Sequence, residues 1–173
     1  RRRGRHRRDE RPAARPSEKM KVAVIERAEI GGICLNWGCI PTKSLLKSAQ
    51  VFEYLNHASD YGITVTGEMK ADFGSIIARS RSIAEGMSKG VQFLFKKNNI
   101  TLIKGFGRLG GKNSVEVEDQ EGKKKTWTAR NIILATGARS RELPNLKQDG
   151  EKIIGYREAM TLPVQPRSMV VVG

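Results

Sequence analysis

A chain of 173 residues, 38% of them hydrophobic, fits one domain or a little more and has enough apolar material for a core. No apolar run approaches the roughly 18 residues of a membrane span, and two cysteines are too few for a secreted disulfide scaffold, so a reducing cytoplasm is the expected compartment. The formal net charge of +14 suggests nucleic acid until it is divided, because residues 1–21 alone hold ten Lys or Arg against three Asp or Glu.

Residues 1–18 (RRRGRHRRDERPAARPSE) contain no aliphatic side chain larger than alanine, so a disordered basic arm is expected there. Such an arm can bind phosphate backbones, which keeps a non-catalytic basic binding module open as a reading of the chain. It lacks the apolar core of a secretory signal, and Asp9, Glu10 and Glu18 argue against a transit peptide. Residues 21–26 (KVAVIE) then read as a short buried parallel strand ending on Glu26. In a dinucleotide-binding unit such a strand follows a first strand, a G-x-G-x-x-G turn and a helix, and its acid holds a ribose hydroxyl. Before it stands only Gly4, so that first unit is missing or replaced, either by a natural arm or by the product of a shifted reading frame in GC-rich DNA. The plain alternative for Glu26 is a solvated strand end.

Residues 31–43 (GGICLNWGCIPTK) carry both cysteines, five positions apart. In a straight helix that spacing leaves the Cα atoms beyond disulfide range, so a bond between Cys34 and Cys39 requires an irregular turn, which Gly31, Gly32 and Gly38 permit. Pro41 suits the first turn of a following helix, whose N-terminus would favour a Cys39 thiolate. From the residues alone a redox pair, a stapling disulfide and half of a zinc site all stay open; zinc needs four ligands, and His6 and His57 are not at ligand spacing. No metal site is expected.

Beyond the cysteines, Leu45, Leu46, Ala49, Phe52 and Leu55 recur at helical spacing. Residues 61–67 read as a loop or a short extended piece. A long helix is predicted over 73–97, with Phe73, Ile76, Ile77, Ile83, Ala84, Met87, Val91 and Leu94 as its apolar stripe and Asn98 and Asn99 as its stop. Residues 101–109 form a strand pattern broken at Gly105 and Gly107, where a bulge or a close ligand approach would suit glycine. A hairpin is expected from 114–118 and 125–128 around the turn at 119–122. Residues 131–138 (NIILATGA) read as a central parallel strand, covered on both faces and running into a small-residue turn at Thr136, Gly137 and Ala138, where ligands of such sheets bind. Residues 168–173 (SMVVVG) read as one more buried strand, stopping where a glycine-rich turn would begin.

The string GGICLNWGCIPTKSLL, with the ATG segment at its spacing, resembles the pyridine-nucleotide disulfide oxidoreductases, and within them the dihydrolipoamide dehydrogenase branch. The resemblance implies an α/β fold: a partial Rossmann-like FAD-binding domain with a parallel sheet, long helices and an inserted antiparallel β-meander. The implied divisions are a basic arm over 1–18, the partial FAD domain with its redox disulfide over 19–145, a connector over 146–166 and the first strand of an NAD-binding domain over 167–173. It further implies that Cys34 is the interchange thiol and Cys39 the thiolate beside the flavin. Glu26, Gly31, Gly32, Lys43, Gly107, Thr136, Gly137 and Ala138 then become cofactor-binding positions, Glu26 on the adenosine ribose and Lys43 beside the isoalloxazine. The implied cofactors are FAD and NAD, the latter without a site in this chain. The implied substrate is dihydrolipoamide on a lipoyl domain of a 2-oxoacid dehydrogenase complex, and the intact protein is expected to be a homodimer, bound to neither nucleic acid nor membrane. A glutathione- or mercuric-reductase-like disulfide reductase is the alternative within the superfamily. The acid–base His-Glu pair of the family is not found, and His57, with no motif around it, is assigned to the surface. The expectation is therefore a chain incomplete at both ends, which binds FAD poorly and does not turn over alone.

Overall fold

The structure, a computed structural model, describes residues 20–172. The basic arm expected over 1–18 and the terminal Gly173 lie outside these residues. The chain begins with strand β1 (Ala23–Glu26), followed by the helices α1 (Gly32–Trp37) and α2 (Cys39–Asn56) and a 3₁₀ turn at Ala58–Tyr61. Helix α3 (Phe73–Lys97) leads into β2 (Thr101–Lys104), β3 (Phe106–Gly111), β4 (Ser114–Glu118) and β5 (Lys124–Thr128), and the short helix α4 (Tyr156–Ala159) closes the order.

Two small sheets result. β1 and β2 pair in parallel, Ala23 against Thr101 through Glu26 against Lys104, with the three helices as the crossover between them. β3, β4 and β5 form an antiparallel meander. The strand pattern expected over 101–109 is thus divided between the sheets, and Gly105, at φ 152°, is the hinge. A Cβ on Gly105 would lie 2.6 Å from the Glu118 carbonyl oxygen and 2.7 Å from Val117 Cγ1, so only glycine lets the chain swing from one sheet into the other. The Asp119 carboxylate accepts from the backbone N–H of Glu121 and Lys123 and fixes the β4–β5 turn.

Helix α3 has the bounds its periodicity predicts. Asp72 caps its start by accepting from Ser75 N–H at 3.1 Å, and Asn99, at φ 54°, takes the left-handed conformation after its end. Its buried face matches the predicted stripe only in part: Ala84 is buried and Phe73, Ile76, Ile77 and Val91 are half-buried. Ser80, Ala84 and Ser88 are the buried residues, whereas Ile83, Met87 and Leu94 stand exposed on the flank. The cause is close helix packing: α3 lies along α1 and α2, and α2 faces it with Pro41 and Ser44, so the seam is made of small side chains. Ile30 and Ala58 join Ala84 as the buried apolar residues of this side, and Val117 serves the meander.

Two expected strands are not formed. Residues 131–138 and 168–172 lie in irregular chain, with Ile133 90% and Val170 87% exposed. Apolar, β-branched sequence supplies strand propensity, but a strand exists only by pairing, and among the described residues β1 is paired on the β2 side alone. No helix of the described residues is long and apolar enough to cross a membrane.

Candidate redox site

The two cysteines sit on different helices. α1 ends at Trp37, α2 begins at Cys39, and Gly38 is the single residue between them, at φ −139° and ψ −117°. This break is the irregular turn that the spacing demands: it brings the Cα atoms of Cys34 and Cys39 to 4.9 Å, and the two are joined by a disulfide. The reversal is tight. A Cβ on Gly38 would stand 3.1 Å from the Ile33 carbonyl oxygen and 3.2 Å from Cys34 Cα, both backbone atoms that cannot turn aside. Both cysteines are exposed, as a couple that exchanges with a substrate must be. Cys39 occupies the first turn of α2, where unpaired backbone N–H groups and the helix dipole favour negative charge on sulfur once the bond opens. Pro41, in that same turn, is buried.

The entry to α1 is pinned by buried hydrogen bonds. Gly31 takes φ 103° and Gly32 φ 70° as the chain enters the helix. Asn36, 5% exposed, donates from its amide to the Ile30 carbonyl at 3.0 Å and to the Gly32 carbonyl at 2.9 Å. The Ser88 hydroxyl, reaching from α3, donates to the same Ile30 carbonyl at 2.9 Å. On the other helix Arg79 donates to the Ser44 hydroxyl at 2.9 Å and to its carbonyl at 3.3 Å. Sequence reasoning missed Asn36, Ser88 and Arg79, since nothing local in a serine of a long helix shows that it reaches a carbonyl across the crossover.

Trp37, inside the disulfide loop, is clasped from three directions. Its indole N–H donates to Glu29 at 3.1 Å, and the Arg81 and Arg157 guanidinium groups lie 4.1 Å and 4.9 Å from its ring centroid. Arg157 is held above its ordinary pKa, first by the neighbouring Tyr156 hydroxyl and then by the Glu29 and Glu158 carboxylates.

The remaining predicted positions are less concentrated. Lys43 is exposed on α2, one turn after Cys39. Glu26 ends β1 and its carboxylate accepts from Ala28 N–H at 2.8 Å, so it already holds its own turn. Gly107 faces β1, where a Cβ would meet Ile25 Cγ2 at 3.3 Å and Val115 Cγ1 at 3.4 Å; close packing of β3 on β1 accounts for this glycine. Thr136, Gly137 and Ala138 are exposed and belong to neither sheet, Gly137 at φ 75°. His57 follows the C-terminus of α2, beside Glu53 at 3.3 Å. At about 1.5 Å per helical residue that is roughly 27 Å along the axis from Cys39. Among the described residues no group of three or more His, Cys, Asp or Glu is placed to hold a metal ion.

The sequence model of the pyridine nucleotide-disulphide oxidoreductases matches residues 11–173. The dihydrolipoyl dehydrogenase of Zymomonas mobilis is 47% identical over 156 residues, which cover 89% of this chain and 33% of that protein. The dihydrolipoyl dehydrogenase of Chlorobaculum parvum is 44% identical over 154 residues, with 89% and 33% covered. Among solved structures, the crystal structure of LpdA from Mycobacterium tuberculosis superposes with a TM-score of 0.75 at 25% identity, over 85% of this chain and 32% of that one. The chain spans about a third of the length of the curated relatives it matches.

Proposed function

We propose, for a chain that belongs to the pyridine nucleotide-disulphide oxidoreductase family, that it carries the redox-disulfide segment of a dihydrolipoyl dehydrogenase, oxidising dihydrolipoamide to lipoamide. The observation that carries this reading is the Cys34–Gly38–Cys39 turn, which sets an exposed disulfide at the N-terminus of a long helix. A substrate thiolate attacks Cys34 Sγ, the Cys34–Cys39 bond breaks, and its electron pair departs on Cys39. The second substrate thiol, as thiolate, attacks the substrate sulfur of the mixed disulfide, closing the cyclic disulfide and releasing Cys34. Two electrons then rest on the cysteine pair, with the charge on Cys39 favoured by the start of α2.

FAD, when bound, would supply the two-electron acceptor for the cysteine pair, with NAD as the final oxidant. The described residues fit the sulfur side of such a site: Cys39 and Lys43 lie on successive turns of α2, and the lysine ammonium would favour negative charge near it. They include no G-x-G-x-x-G turn between a strand and a helix to cradle the phosphates. Gly31 and Gly32, at the entry to α1 after β1, and Glu26, Gly107, Thr136, Gly137 and Ala138 are proposed as contacts on resemblance alone. We place the substrate on a lipoyl domain of a 2-oxoacid dehydrogenase complex and the intact enzyme in a homodimer, as the resemblance of its cysteine segment implies.

The test is a chimera in which residues 20–172 replace the aligned segment of the Zymomonas mobilis protein. It should oxidise dihydrolipoamide with NAD, and its Cys39→Ser version should not. A folded, flavin-loaded chimera that is inactive, or one whose activity survives Cys39→Ser, refutes the proposal.

A further inference from the structure

Gly38 alone joins α1 to α2, and glycine is the residue least able to hold an angle by itself. While the disulfide stands, the sulfur bridge fixes the two helices; once it is reduced, something else must keep the thiols together. α3 touches both helices and carries one polar tie to α2 and one to Ile30, in the segment that enters α1. Ser88, 8% exposed, donates to the Ile30 carbonyl, and Ile30, also 8% exposed, is held a second time by Asn36 on the cysteine-bearing turn of α1. Arg79, nine residues earlier, donates to both the hydroxyl and the carbonyl of buried Ser44 on α2.

We propose that α3 is the frame on which the reduced dithiol is preorganised, with Ser88 and Arg79 as positioning residues that keep Cys34 and Cys39 at reacting distance after the disulfide opens. The proposal rests on the reading of this pair as a redox couple. The oxidation equilibrium of two thiols rises with their effective concentration, because proximity is entropy already spent before the bond forms. A frame that survives reduction therefore makes the couple more reducing, and loosening the frame makes it more oxidising. Neither residue touches sulfur, and their influence runs through helix placement.

The experiment equilibrates the purified 173-residue chain with glutathione redox buffers and measures the reduced fraction by alkylation and mass. Two glutathione thiols supply two electrons and two protons, leave as glutathione disulfide, and convert Cys34–Cys39 into two thiols. Ser88→Ala and Arg79→Ala should each lower the equilibrium constant for disulfide formation about three- to tenfold, a midpoint less negative by about 15–30 mV. Val117→Ala, which opens the buried core of the meander, lowers stability and should leave the midpoint unchanged. Should Ser88→Ala fail to fold, Arg79→Ala, whose side chain lies largely at the surface, decides alone. Midpoints equal to the parent in every folded variant, or an equal shift in Val117→Ala, overturn the inference and leave the redox reading standing. A parent chain that shows no reversible two-electron titration overturns both.

Discussion

Gly38 carries the tightest backbone approach of the redox turn, and one added methyl tests it. In Gly38→Ala the new Cβ would press on the Ile33 carbonyl oxygen and on Cys34 Cα at 3.1 and 3.2 Å, so the turn must open. We expect a loss of about 1–3 kcal/mol in denaturant unfolding, the usual cost of overpacking, together with slower return of the disulfide after reduction. An unchanged midpoint and an unchanged reoxidation rate would mean the turn has room. The need for this turn is legible in the sequence, because helix geometry alone forbids the bond at a spacing of five without a break. The ties around it are not legible. Asn36, Ser88 and Arg79 acquire their roles only when the crossover brings α3 against both cysteine helices, and Trp37 meets Glu29, Arg81 and Arg157 from three separate stretches of chain.

For α3 the period, the cap and the stop are all local, and its limits follow from them. Which face is buried depends on the neighbour. A neighbour lined by Pro41 and Ser44 admits close approach, and the seam falls on Ser80, Ala84 and Ser88 where bulk would have suggested Ile83 and Met87. Ala84→Leu should therefore cost about 1–3 kcal/mol by overpacking, and Met87→Ala should stay within about 0.5 kcal/mol as a surface change. Equal losses in the two variants would restore the bulky stripe as the true core. The cap has its own signature in pH. Hydrogen bonds from the Ser75 hydroxyl and backbone N–H hold the Asp72 carboxyl below its ordinary value. A depressed folded pKa adds stability that is complete above the unfolded value, about 3.9, and is lost as pH falls through the lower folded value. Asp72→Ala should thus lower the thermal midpoint at pH 7, and the gap from the parent should narrow as pH falls below about 3.9. A gap that does not narrow there would assign the effect to lost helix geometry rather than to charge.

Across the whole molecule, the unpaired apolar segments are the most exposed part of the described chain, although Leu46 and Phe93 on the helices and Leu109 on the meander also stand in water. Residues 131–138 and 168–172 have the continuous hydrophobicity of strands that parallel sheets bury on both faces, yet Ile133, Val170 and Val171 are 86–90% exposed. Strand propensity is legible in these segments, but the expected strands are not formed, because pairing is what propensity cannot supply by itself. β1, with one partner, and two β-branched runs without partners together offer backbone and side chains for strand addition between copies. The 173-residue chain should consequently self-associate at micromolar concentration, and Ile133→Asp with Val171→Asp should reduce that association in sedimentation velocity. Neither residue touches the helical core, so the helical circular dichroism should be unchanged. If the double variant associates as the parent does, the sticky surface lies elsewhere, and the exposed flank of α3 with Phe93 and Leu94 becomes the next surface to charge.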